Sequence, residues 1–254
     1  MTATAYEKQR VFIVDDKTDR SRRLAETTEL KIIDAESALK EVRFTLQWVN
    51  NTLSLRDHTS RKPLDVSIDF TGGQAQHRKK FGGGHGQPIA RAVKTRDHPH
   101  ICDATAGFGK DAFIFASLGC KVTLLENSVV VHALLSDAIK RAANHDNTRE
   151  AVSRMQLFHS DSTQLPKNWP HADPPDIVYL DPMYPDGKRT AKKEIQTLRQ
   201  LLAPQKTDIL LLEAARKTAQ RVVVKRPRNA HPLEGIAPSG NINSPNTRYD
   251  IYGA

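Results

Sequence analysis

A chain of 254 residues with 38% hydrophobic content can bury one large core, or a standard core beside a small one. A mean hydropathy of −0.54 and the lack of any apolar run near the ~20 residues that cross a bilayer exclude a membrane-spanning reading. Two cysteines, Cys102 and Cys120, exclude a disulfide framework and a cysteine-built metal centre, so no metal is expected, and a net charge of +9 favours a polyanionic partner. The first eight residues have no signal-like apolar centre, which makes the cytoplasm the expected compartment.

Residues 1–70 read as a small α+β segment. A strand is expected over 10–14, a polar-faced helix over Asp19–Thr28 and an alternating strand over 42–49. Asn50-Asn51 then turns the chain back into Thr52 to Leu55, and Leu64, Val66, Ile68 and Phe70 alternate as a further strand. Residues 71–87 form a glycine-rich basic connector, with Arg78, Lys79, Lys80 and Phe81 set between Gly72-Gly73 and Gly82-Gly83-Gly84. Cations beside glycines suit close approach to a phosphate backbone, while a plain interdomain hinge also accounts for the glycines.

From residue 88 to 254 strands and helices alternate as one domain. Strands are expected over 99–103, 122–126, Met155–His159, 176–180, 221–225 and 249–252. Helices are expected over 89–95, 110–118, Val129–Ala143, 192–202 and 208–220. That order predicts an α/β fold with a doubly wound, mostly parallel sheet, whose ligands lie outside the carboxyl ends of the strands.

The unusual residues fall at those ends: Asp103, Glu126, Asp161 and Asp181 close four successive strands. After Asp103 comes a turn of small residues containing Gly107 and Gly109, and Glu126 lies 19 residues past Gly107, where a βαβ nucleotide site places its ribose-binding carboxylate. The turn lacks the first two glycines of a dinucleotide fingerprint, and a carboxylate at its mouth repels a pyrophosphate. S-adenosylmethionine (SAM) fits better, having an ammonium for Asp103, ribose hydroxyls for Glu126 and no phosphate. A plain strand-turn-helix corner is the bland alternative.

The second motif is Asp181-Pro182-Met183-Tyr184. An exocyclic base nitrogen is a poor nucleophile because its lone pair is delocalised. Accepting its two hydrogens on Asp181 and on the Pro182 carbonyl would favour a pyramidal nitrogen with its lone pair aimed at a methyl donor, and Tyr184 could stack on the base. Proline fixes the backbone that presents the carbonyl. Basic runs at Lys188-Arg189 with Lys192-Lys193, and at Lys225-Arg226-Pro227-Arg228, are candidates for phosphate contact or simply solvated charge. His77 and His159 receive no role.

Taken together, Asp69 to Gly73, His77 to Gly84, Asp103 to Phe113, Tyr179 to Pro185, Val222 to Pro227 and Arg248 to Tyr252 resemble the bacterial 16S rRNA guanine-N2 methyltransferase family RsmJ. The match runs over about residues 64 to 254. The resemblance implies a Rossmann-like class I SAM-dependent fold, methylation of a guanine amino group near the 3′ end of 16S rRNA, and S-adenosylhomocysteine as co-product. It further implies donor contacts at Lys110, Asp111, Glu126, Asn127, Asp161, Ser162 and Asp181. Lys110 stands where relatives often carry Arg, and Tyr184 where many carry Phe. The expected partner is 16S rRNA or the 30S subunit, reached through Arg78, Lys79, Lys80, Lys188, Arg189, Lys225 and Arg226. Rival readings are a methyltransferase for adenine N6 or a glutamine side chain, a non-catalytic RNA-binding assembly factor, and a nicotinamide dehydrogenase.

Overall fold

The computed structural model describes residues 3–37, 42–59, 64–72, 83–182, 201 and 208–253. Its contacts divide the chain into two compact units. One holds the stretches Met1–Asp69 and Asn127–Lys140, the other Phe70–Glu126, Arg141–Met183 and Gln205–Ala254.

The first unit is built on a five-stranded mixed sheet, in the order β2-β1-β3-β4-β5, from β1 (Val11–Val14), β2 (Lys31–Ile33), β3 (Phe44–Val49), β4 (Thr52–Asp57) and β5 (Leu64–Val66). β1 pairs in parallel with β2 and β3, and β3, β4 and β5 run antiparallel. Asn50 and Asn51 both take positive φ, 49° and 61°, the geometry that lets a two-residue turn follow the twist of its strands. The helix Asp19–Thr28 matches its expected bounds. It is capped where Thr18 accepts the Arg20 N–H and ends at Glu29 in the left-handed region. A short helix, Ala3–Lys8, was not legible, and it carries the fully buried Glu7, whose carboxylate accepts the Val130 N–H at the start of the helix Val129–Ala143. An anion there meets the positive end of the helix dipole. The strand expected over 64–70 stops at Val66, although Ile68 and Phe70 remain buried.

The second unit contains β6 (His100–Asp103), β7 (Lys121–Glu126), β8 (Met155–His159), β9 (Ile177–Leu180), β10 (Arg221–Pro227), β11 (Gly240–Asn243) and β12 (Thr247–Gly253). They form one sheet in the order β11-β12-β10-β9-β6-β7-β8, parallel from β10 to β8, with β12 antiparallel to β10. Every residue of β9 is buried, as a central strand covered on both faces must be. The helices Pro88–Ala92, Lys110–Ser117, Asp146–Val152 and Asp208–Thr218 accompany it. Asp146–Val152 and β11 were not anticipated, being short and polar. The helix expected over 192–202 lies outside the described residues, residue 201 apart. Strand order reverses between β6 and β9, and such a switch point opens a crevice at the carboxyl ends. Among the described residues no helix is long and apolar enough to cross a membrane.

Candidate active site

The crevice is flanked by Asp103 at the end of β6 and Asp181 just past β9. Between them the chain turns at Gly107 and Gly109, with φ of +51° and +66°. Those values explain why glycine stands at both positions, since a Cβ strains the left-handed region. Gly109 is also the residue from which the helix Lys110–Ser117 starts. Glu126, at the end of β7, accepts the Gly107 N–H on Oε2 at 2.8 Å, which ties the second strand's acid to the glycine turn. Asn127 follows it in sequence and groups with the first unit.

Asp181 is fixed from two sides. Its N–H donates to Thr105 Oγ1 at 2.6 Å, and its Oδ2 accepts from Lys225 Nζ at 2.7 Å. The same ammonium donates to Asp111 Oδ2 at 2.8 Å, and that oxygen also accepts the Tyr179 hydroxyl at 2.7 Å. Strand register produces this arrangement: Val224 pairs with Leu180, so Lys225 and Asp181 are the next residues along neighbouring parallel strands. Likewise Asp103 pairs with Tyr179, which brings the first strand's acid beside the network.

Among the described residues, the carboxyl groups of Asp103, Asp111, Asp181 and Glu126 are close enough to act on one another. Burial, then Asp111, Asp181 and Glu126, push the Asp103 carboxyl up to about 8, against a lowering hydrogen bond from the Thr105 N–H. Asp181 is also raised, by burial and by Asp111, with Lys225 pulling it back. Burial would depress the Lys225 ammonium, but Asp111 and Asp181 outweigh it and hold it above the ordinary lysine range. Tyr179, fully buried among carboxylates, is driven well above the usual phenol value.

At the next strand end, Asp161 Oδ1 accepts the Thr163 N–H at 3.0 Å and its hydroxyl at 2.8 Å, capping the turn Ser162–Gln164, in which Ser162 is buried. Lys110 lies with its ammonium 5.3 Å from the centre of the Phe108 ring. Pro182 directly follows Asp181. Tyr184, Arg78, Lys79, Lys80, Lys188 and Arg189 lie outside the described residues.

Two assignments need correction. Lys225, expected to face phosphate, has its ammonium committed to Asp111 and Asp181. Arg226 is 9% exposed and gives Nε and Nη2 to the His231 carbonyl at 3.1 and 2.6 Å, so it holds a loop together. Sequence reading also missed Thr105 and Tyr179. A lysine ending a strand of valines in mid-sheet was the available signal, because a charge so placed requires an anionic partner.

A family model described as "Putative SAM-dependent methyltransferase" matches residues 24–254. A ribosomal RNA small subunit methyltransferase J from Hydrogenovibrio crunogenus is 46% identical, covering 95% of this chain and 94% of the relative. Its counterpart from Chromobacterium violaceum is 40% identical over 93% of this chain and 92% of its own length. The crystal structure of a SAM-dependent methyltransferase from Neisseria gonorrhoeae superposes with a TM-score of 0.77 at 37% identity, covering 96% of this chain and 95% of that one. Fold, strand-end acids and these relatives agree, and the chain belongs to the SAM-dependent methyltransferase family that includes ribosomal RNA small subunit methyltransferase J.

Proposed function

We propose that this protein transfers a methyl group from SAM to the exocyclic N2 of a guanine near the 3′ end of the 16S rRNA of the small ribosomal subunit, in the cytoplasm. The observation that carries the reading is the fixing of Asp181 at the switch point by Thr105 and Lys225, directly before the rigid Pro182. The names of the relatives supply the RNA, and the donor set supports the cofactor. Asp103, Asp111, Asp181 and Glu126 act on one another in one cluster, and the Lys225 ammonium bonds Asp111 and Asp181. Such a gathering of carboxylates suits a ligand that is cationic at both amine and sulfur and carries no phosphate.

When bound, SAM supplies an electrophilic methyl group on a sulfonium. Glu126, steadied by the Gly107 N–H, would take the ribose hydroxyls, and Asp103 would pair with the methionine ammonium. Lys110, Asp111, Asn127, Asp161 and Ser162 complete the donor contacts. Asp181 and the Pro182 carbonyl would accept the two hydrogens of the guanine amino group, and Tyr184 is the residue proposed to stack on the base. The N2–C bond then forms as the C–S bond breaks with its electrons left on sulfur, and the surplus proton leaves N2 for solvent. Orientation of the two reactants supplies most of the acceleration.

Charge distribution supports an RNA partner. The described residues balance at 26 basic and 26 acidic side chains, so the net +9 rests on the remaining segments, with 12 basic against 3 acidic. Arg78, Lys79, Lys80, Lys188 and Arg189 belong to those segments and are the proposed phosphate contacts.

The test is transfer from radiolabelled SAM to 30S subunits isolated from cells lacking this activity, with the label mapped by nuclease digestion. N2-methylguanosine near the 3′ end is expected. SAM binding without transfer to 30S particles or free rRNA overturns the reading.

A further inference from the structure

We propose that Lys225 is a positioning residue for methyl transfer, which holds the Asp181 carboxylate ionised and in one rotamer so that its second oxygen is presented to the acceptor amine. This inference rests on the function proposed above and assigns Lys225 to the reaction centre.

The geometry is specific. Lys225 Nζ reaches Asp181 Oδ2 and Asp111 Oδ2 at 2.7 and 2.8 Å, so one ammonium bridges a carboxylate past β9 and another on the helix that follows the glycine turn. The Asp111 side chain is 9% exposed, that of Lys225 27% and that of Asp181 37%. The bridge therefore lies at the boundary between the core and the crevice, with Asp181 as its outer member. Tyr179 donates to the Asp111 oxygen from below, which makes Asp111 a fixed base for the lysine. With Oδ2 taken by Lys225 and the Asp181 N–H taken by Thr105, backbone and carboxylate plane are both set, and Oδ1 is left to face an acceptor.

Charge gives the lysine a second task. The groups bearing on Asp181 are Asp103 from β6, Asp111 from the helix Lys110–Ser117 and Lys225 from β10, with Tyr179 and Glu126 adjoining and Tyr249 beside Tyr179. Only Lys225 among these is a cation. A carboxylate in such company takes up a proton readily, and a protonated Asp181 offers one fewer acceptor to an amine that has only donors to give. Lysine suits the position because its tetrahedral ammonium serves two carboxylates from one point.

The experiment measures kcat against pH for the wild type, K225M, K225R and D111N, with saturating SAM and 30S substrate. If Asp181 must be ionised, kcat falls as pH drops through its titration. K225M is expected to lose about 10²-fold in kcat near neutrality. Its acid limb should move to higher pH by roughly 1–3 pH units, so that alkaline pH recovers part of the rate. K225R keeps the charge and the wild-type limb at reduced kcat. D111N removes a neighbouring anion and leaves the lysine to Asp181, moving the limb to lower pH. A purely structural role predicts loss of rate with no displacement of the limb. An unmoved limb in both K225M and D111N overturns the inference; if K225M does not fold, an unmoved limb in D111N or a displaced one in K225R does so. Failure of the wild type to label 30S particles overturns the functional reading instead.

Discussion

The two ends of the parallel sheet handle polar groups in opposite ways. In the amino-terminal half, His100 Nε2 and His171 Nε2 both meet the Thr123 hydroxyl at 2.9 Å, the His100 N–H donates to Asp176 at 2.7 Å, and Trp169 packs on both imidazoles. Burial, Lys121 and His171 lower His100 to about 4, and burial and Lys121 lower His171, so both rings are neutral at physiological pH. Every polar group named there is answered by another. Among the described residues at the carboxyl end, four carboxylates, Asp103, Asp111, Asp181 and Glu126, act on one another, and the Lys225 ammonium bridges two of them. A satisfied polar cluster stabilises a fold, whereas like charges held together by the fold mark a functional site.

The sharpest way to break this contrast is D181A. It should lower kcat by about 10³-fold, since it removes the acceptor that orients the nucleophile, while SAM affinity changes by less than about tenfold. Single-turnover methylation and calorimetric SAM titration separate the two quantities. A variant with near-normal kcat would place the chemistry elsewhere.

D103N probes the gathered carboxylates themselves. The carboxyl titrates near 8 in the folded chain against 3.8 as a free side chain, so the folded state holds its proton more tightly. The stability this confers is fully present below about 4 and is lost as pH rises through 8. Without SAM, the wild-type Tm should therefore fall across that window, and D103N should melt above the wild type at pH 9. The same change should weaken SAM about 10–100-fold by removing a charged partner of the ligand. Thermal melts at several pH values with and without SAM read both effects, and opposite signs for stability and affinity are the expected result.

Sequence alone supplied most of the frame in which these residues sit. Continuous apolar runs located the central strands to within a residue or two, because a parallel strand buried on both faces is apolar throughout, as Ile177 to Leu180 is. The acids were legible for the converse reason, that a charge closing an apolar strand demands an explanation. What escaped was partnership across strands. That Lys225 meets Asp181 depends on β10 lying beside β9 in a register that no local pattern encodes. Arg226 was misread for a related cause, since its carbonyl partner at His231 is a loop atom without a sequence signal. The short elements Ala3–Lys8, Lys31–Ile33, Asp146–Val152 and Gly240–Asn243 were missed because three to seven residues show too little periodicity to rise above their surroundings.

Substitutions in the opposite half of the sheet should alter stability and leave chemistry intact. Gly119, just ahead of β7, has φ of +91°, and a Cβ there would come within 2.6 Å of the His98 ring. G119A is expected to cost about 2 kcal/mol through backbone strain and displacement of that ring. The corresponding fall in Tm is roughly 4–8 °C. SAM affinity and kcat at a permissive temperature should match the wild type. Loss of SAM binding in a folded G119A protein would mean that the two ends are coupled.

T123V makes the smallest change and tests the balanced side of the comparison most directly. The hydroxyl has one hydrogen and two lone pairs, so it can donate to at most one imidazole, and at least one ring must carry its proton on Nε2 and donate to it. Valine keeps the shape and removes both interactions, leaving two ring nitrogens to find solvent. The expected cost is about 1 kcal/mol, because both histidines are only partly buried and water can replace the lost partner. Burial and Lys121, which lower both rings, are untouched by the substitution, so the T123V deficit should be similar at pH 5 and pH 8. Histidine NMR titration and urea melts at pH 5 and 8 measure this. A deficit that grows on acidification would show that the threonine stabilises a charged ring, and the amino-terminal half would then carry charge of its own.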